Sequence, residues 1–127
     1  MKVLIDTHIF LWFVNGSSNL SDRVATLLES DMDILLSIAS LWEIAIKVNL
    51  GKLELPNIYQ EFIPEQLSIN SIEILPITIN HLAIVTTLPL HHRDPFDRLM
   101  ISQAISETIP IISVDNKFDL YDIDRIS

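Results

Sequence analysis

The chain has 127 residues, enough for one domain with a real core and too few for two. A hydrophobic fraction of 49% and a mean hydropathy of +0.37 exclude a disordered chain, and the apolar excess points to self-association or a protein partner. Net charge is −9, from 17 acids against 8 Lys and Arg, which counts against a protein that holds nucleic acid mainly by phosphate contacts unless the acids surround a cation.

Cysteine is absent, so disulfides and thiolate metal sites are excluded and a reducing cytoplasm fits. No basic segment leads into an apolar stretch with a small-residue cleavage site, so no signal peptide is expected. The apolar run Ile9–Val14 is far too short to span a bilayer, and no membrane association is expected.

Val3-Leu4-Ile5 is an unbroken apolar run that suits a strand buried on both faces, and it stops at Asp6-Thr7. Thr7 to Val14 reads as a short buried helix ending at Asn15-Gly16. Ser21 is the expected N-cap of a helix to about Ser30, with Val24, Leu27 and Leu28 on its apolar face. Ile34-Leu35-Leu36 is a second buried strand. The largely apolar segment Ser37–Lys47 is a helix that Gly51 stops.

A further helix begins near Asn57, and Pro64 is expected to interrupt or restart it. Ile72–Ile77 is a third strand, and Thr78 caps a helix reaching about Leu88. After the loop Pro89–Arg93, Asp94-Pro95 is a strong helix start, and that helix runs to about Glu107. Pro110–Val114 is a fourth buried strand ending at Asp115, and the tail adds a short edge strand. Strands alternate with helices through residues 1–127, without repeat or linker. The expected class is a single α/β domain with a mostly parallel sheet and helices on both faces.

Ligands of open α/β sheets gather beyond the carboxyl ends of the strands. Asp6 and Asp115 each follow a buried strand, and Glu43 and Asp97 are placed in first turns of helices pointing to that same edge. Two bare carboxylates about 4 Å apart repel by roughly 4 kcal/mol at an effective dielectric near 20. Some must therefore be protonated, or a cation must sit among them. Oxygen-only ligation suits Mg²⁺ or Mn²⁺, and such an ion can activate water and stabilise phosphoryl oxygens.

Each of these residues also has a structural reading. Asp6 is a good N-cap for the helix behind it. Ser40-Leu41-Trp42-Glu43 fits a capping box, in which Glu43 returns a bond to Ser40. Asp94 is expected as a helix cap, which leaves Asp97 as the better ligand. Thr7 stands beside Asp6, and Ser113 can orient a carboxylate or a water. His91 and His92 can contact a phosphate, act as an acid, or simply pack their loop. Asp119 is held in reserve near the edge, and Trp12 and Trp42 read as core.

Val3–Thr7, Ser40–Lys47 with Gly51-Lys52-Leu53, His92–Leu99 and Ser113–Asp115 together resemble the motifs of PIN-domain nucleases, and more narrowly VapC-type toxins of bacterial toxin–antitoxin pairs. The resemblance spans essentially the whole chain, in the family's motif order. It implies a three-layer α/β/α fold and a Mg²⁺-dependent endoribonuclease. Asp6, Glu43, Asp97 and Asp115 would be its acidic site, with Thr7, Asp94, Ser113, His92 and Arg98 as residues that support it or touch substrate. It also implies an RNA substrate, a homodimer and a cognate antitoxin whose tail enters the cleft. A haloacid-dehalogenase-like enzyme would want an Asp where His8 stands, and a receiver domain would want an acidic pair before the first helix. A non-catalytic interaction module of the same fold is opposed by the four acids.

Overall fold

The computed structural model describes residues 1–127. Its strands are β1 (Lys2–Ile5), β2 (Asp33–Ser37), β3 (Ile72–Leu75), β4 (Ile111–Ile112) and β5 (Arg125–Ile126). They form one sheet in the order β3-β2-β1-β4-β5, and every pairing is parallel. The helices are α1 (Thr7–Val14), α2 (Asp22–Glu29), α3 (Ile38–Asn49), α4 (Tyr59–Ile69), α5 (Ile79–Val85) and α6 (Pro95–Glu107), followed by a 3-10 helix at Asn116–Leu120. No helix is long and apolar enough to cross a membrane.

Strand alternation builds the layers. Val3 and Ile5 of β1, with Ile34 and Leu36 of β2, meet Ile9 and Phe10 of α1, Val24 and Leu28 of α2, Ile44 of α3 and Phe62 of α4 in one buried cluster. Leu4 and Leu35 point the other way, onto Met100, Ile101 and Ala104 of α6 and onto Phe118 and Tyr121. Val3, Leu4 and Ile5 are wholly buried, as an unbroken apolar run requires, and burying each such side chain contributes about 1.5–3 kcal/mol.

Local chemistry sets the element ends. Asn15 and Leu50 close α1 and α3, and Gly16 (φ 61°) and Gly51 (φ 71°) take the left-handed turns that follow. β3 stops at Leu75, two residues short of the expected Ile77, because Pro76 has no N–H for the ladder. α5 ends at Val85, ahead of the expected Leu88. Contrary to expectation, α4 runs unbroken through Pro64. The hydrogen-bonded part of β4 is only Ile111–Ile112, so Asp115 lies on the connection beyond the strand rather than at its last residue.

The register fixes the site's place. Ile5 is level with Leu36 on one side and with Ile112 on the other. Asp6, the start of α3 and the Ser113–Asp115 connection therefore leave the sheet together at one edge.

Candidate metal centre

Asp6 is both a cap and a site residue. Its Oδ1 accepts the Ile9 N–H at 2.8 Å, closing the first turn of α1, and the residue is only 5% exposed. Burial raises its pKa, the Glu43 charge adds to that, and the Ser113 hydroxyl, the Ile9 N–H and His8 oppose it. Ser113 is itself buried, and its hydroxyl also accepts the Asp115 N–H at 3.0 Å. It stands between two of the acids, meeting Asp115 through that residue's backbone.

The capping-box reading of Glu43 is overturned. β2 carries the chain to Ser37, whose hydroxyl accepts the Ala39 N–H and caps α3 three residues earlier than Ser40. Glu43 consequently lies in the second turn, not the first, and its oxygens go elsewhere. Oε1 accepts the Thr7 hydroxyl at 2.7 Å, and Oε2 is 3.2 Å from Lys47 Nζ, one helical turn on. Ser40 lies 3.0 Å from the Thr7 oxygen and 3.4 Å from Met100 Sδ.

Asp94 caps α6 as expected, its Oδ1 accepting the Phe96 and Asp97 N–H groups at 2.9 and 3.1 Å. That places Asp97 in the first turn, facing the other acids. Its pKa is pushed up to about 7, first by burial and then by the charges of Asp94, Glu43, Asp6 and Asp115. Asp115 moves the other way. Against some desolvation, the Lys117 N–H, the His92 side chain and the Lys117 charge hold its carboxyl below the usual range.

Asp6, Glu43, Asp97 and Asp115 line one cavity of about 340 Å³, together with Thr7 and Asp94. Four further residues line it: His8, Lys47 and Val114, which the sequence did not offer as site residues, and Trp12, which it read as core. The spacing that would have found Lys47 is its i+4 offset from Glu43, and His8 and Trp12 share the same offset, with ring centroids 5.9 Å apart.

The remaining candidates fall outside the cavity. Arg98 spends its guanidinium on the carbonyls of Leu88, Pro89 and His92, so it organises a loop. Asp119 is paired with Arg125 at 2.9 Å. The His91 ring packs edge-on against Tyr121. His92 is buried, with Nε2 2.9 Å from Asp115 Oδ2 and 3.0 Å from Asp97 Oδ2. Trp42 is no core residue: it is 62% exposed and meets Phe96 edge-on, because its position on α3 faces away from the cluster that buries Leu41 and Ile44.

The donor set suits a hard divalent cation. Four carboxylates line the cavity, ligand atoms of Asp97, Asp115 and His92 lie within 4.8 Å of one another, no cysteine is present, and the acid at the centre of the crowding, Asp97, holds its proton to near neutrality unless positive charge arrives. Asp6, Glu43, Asp97 and Asp115 are the residues that would hold such an ion.

No protein of curated function matches the chain in sequence. Among solved structures the chain is similar over 99% of its length to 98% of a chain of VapBC2 from Rickettsia felis bound to a DNA fragment from their promoter, at 19% identity and a TM-score of 0.75. FitAcB from Neisseria gonorrhoeae is similar at 19% identity and a TM-score of 0.72, over 98% of this chain and 96% of that one. VapBC-1 from nontypeable Haemophilus influenzae follows at 18% identity and 0.68, over 100% and 98%. These likenesses show a shared fold. The PIN domain model matches residues 3–124, from the first buried strand to the tail beyond the last acid of the cavity, and by that match the chain belongs to the PIN domain family.

Proposed function

We propose that this protein is a Mg²⁺-dependent endoribonuclease, with Mn²⁺ as a substitute, and the toxin of a bacterial toxin–antitoxin pair. The observation that carries the reading is the convergence of Asp6, Glu43, Asp97 and Asp115 on one cavity, with Asp97 pushed up to about 7 by its neighbours. Crowding of these acids costs the bare fold stability, most of all at Asp97, and a bound cation offsets that cost.

A divalent ion held by these carboxylates supplies a Lewis acid for a phosphodiester and a water of lowered pKa. The chain's own residues do the rest. Thr7 donates to Glu43 Oε1 and fixes that carboxylate. The Ile9 N–H holds Asp6, and the Ser113 hydroxyl favours its charged form. Lys47, paired with Glu43 at the cavity, is the cation within reach of a substrate phosphate. Asp97, which keeps its proton up to about pH 7 in the bare site, is the acid whose remaining proton must leave when the ion enters.

The solved relatives include toxin–antitoxin complexes, which supports a cognate antitoxin as the partner. Homodimer formation and a cytoplasmic location in a bacterium belong to the same reading; exposed apolar side chains such as Trp42, Ile79 and Leu82 are consistent with burial against another chain. The test is cleavage of total cellular RNA by the purified protein, with the cut ends mapped. Cleavage with Mg²⁺ that stops on chelation is expected. A protein that binds divalent ions but cuts no RNA would overturn the nuclease reading, and co-expression with the neighbouring gene's product without binding would overturn the toxin reading alone.

A further inference from the structure

His92 has an environment that the four-acid site does not require and that nothing above explains. Its ring is buried 5.8 Å from the Phe118 ring, outside the cavity, yet its Nε2 touches two of the acids. The backbone at this point is clamped from two sides. The Tyr121 hydroxyl accepts the N–H groups of His91 and His92 at 2.9 and 2.8 Å and donates to the Pro89 carbonyl at 2.8 Å. Arg98 donates to the His92 and Pro89 carbonyls at 3.1 and 3.0 Å and to Leu88 at 3.2 Å. A buried phenol and a guanidinium thus fix the backbone of the loop that carries the imidazole.

Two roles are open to an imidazole among carboxylates. It can be a ligand, or it can be a hydrogen-bond donor that aligns ligands. A metal-bound histidine coordinates through one ring nitrogen and donates the N–H of the other to a neighbour. Here the other nitrogen, Nδ1, accepts: the Asp94 N–H points at it from 3.3 Å. The ring proton therefore sits on Nε2, directed at Asp97 Oδ2 and Asp115 Oδ2. One N–H shared between two acids draws together carboxylates that would otherwise repel. It occupies a single lone pair on each oxygen and leaves the rest free. The same Asp94 that caps α6 presents the N–H that sets the tautomer, so the helix start and the ring orientation are one construction.

We propose that His92 is a positioning residue of the metal site: its Nε2–H holds Asp97 and Asp115 side by side for a divalent cation, and it does not ligate the ion. Tyr121 and Arg98 position the ring. This rests on the metal-site reading above.

Mn²⁺ binding by the full chain, followed by electron paramagnetic resonance, tests it in wild type, His92→Gln and His92→Phe. Gln can place an amide N–H where Nε2–H stands, and Phe cannot. His92→Phe should bind Mn²⁺ about 10–100-fold more weakly, as loss of an outer hydrogen-bonding partner does, and His92→Gln should recover most of that loss. The echo-modulation spectrum of wild-type Mn²⁺ should show no directly bonded imidazole nitrogen. A bonded-nitrogen coupling that vanishes in His92→Phe makes His92 a ligand and overturns the proposal, as does equal affinity across the three proteins. If circular dichroism shows that His92→Phe does not fold, Tyr121→Phe takes its place: weaker Mn²⁺ binding supports the positioning role, and unchanged binding overturns it. A wild type that binds no Mn²⁺ removes the metal-site reading itself, whereas Mn²⁺ binding indifferent to residue 92 removes only this inference.

Discussion

The hydroxyl of Thr7 donates to Glu43 Oε1 at 2.7 Å, joining the first residue of α1 to the second turn of α3 across 36 positions of sequence. Thr7 has one proton, which favours the shorter contact to Glu43 over the 3.0 Å contact to the Ser40 hydroxyl, and Ser40 reaches Met100 Sδ at 3.4 Å with its own. Glu43 is thereby held between a neutral donor and Lys47. Thr7→Val keeps the shape and removes the hydroxyl. It should reduce cleavage by about 10–100-fold, the usual scale for losing such a partner, and destabilise the fold by about 1 kcal/mol through the lost hydrogen bond. Thr7→Ser should restore most of the activity. A Val variant that cuts like wild type, with loss in the Ser variant alone, would place the effect in packing by the methyl group.

Glu43 gives a second test. It makes no capping box, so Glu43→Gln changes the charge at the cavity without touching the N-cap at Ser37. The amide still accepts from Thr7. Thermal melts should place its stability within about 1 kcal/mol of wild type, with most cleavage lost. Near-normal cleavage would remove Glu43 from the site.

Asp6→Asn should abolish cleavage and leave the metal-free protein melting no lower than wild type. Asn is as good an N-cap as Asp, so the Ile9 N–H stays satisfied, while a buried charge beside Glu43 is removed. A markedly lower melting temperature would show that the cap needs the carboxylate itself.

Asp97 predicts a pH dependence. Its folded pKa lies at about 7, well above the ordinary 3.8, so from about pH 4 to pH 7 the folded chain keeps a proton that the unfolded chain has lost. Stability of the metal-free protein therefore falls as pH rises through this window, by at most about 4 kcal/mol from this residue. Asp97→Asn should flatten that fall, matching wild type near pH 4 and exceeding it at pH 8 in chelator. With Mg²⁺ at pH 8 the order should narrow or reverse, because only wild type gains fully from the ion. Parallel denaturation curves for the two proteins at both pH values would sink the assignment of the shift to Asp97.

Asp94→Ala removes the acceptor for the Phe96 and Asp97 N–H groups and should cost roughly 0.5–2 kcal/mol. Cleavage should fall only in part, through the looser start of α6. Asp94→Ser restores a cap and should recover both properties. A Ser variant that folds normally yet cuts nothing would make Asp94 a direct member of the site.

Much was determined by the sequence alone. The run Val3-Leu4-Ile5 demands burial on both faces, and caps at Asp6, Ser21, Thr78 and Asp94 fix where helices begin, because these are interactions among near neighbours. The parallel sheet and the gathering of Asp6, Glu43, Asp97 and Asp115 at one edge follow from the strand–helix alternation. What tertiary structure alone decided depends on contacts between distant segments. A capping-box pattern at Ser40–Glu43 is locally plausible, but β2 reaches Ser37 and the helix starts there, freeing Glu43 for Thr7. Trp42 has a core residue's composition, yet the face of α3 that packs is set by the sheet beneath it. His92 shows the same limit: a histidine in a loop acquires its role only when Tyr121, Asp115 from beyond β4, and Arg98 and Asp97 of α6 close around it, and no local pattern encodes that meeting.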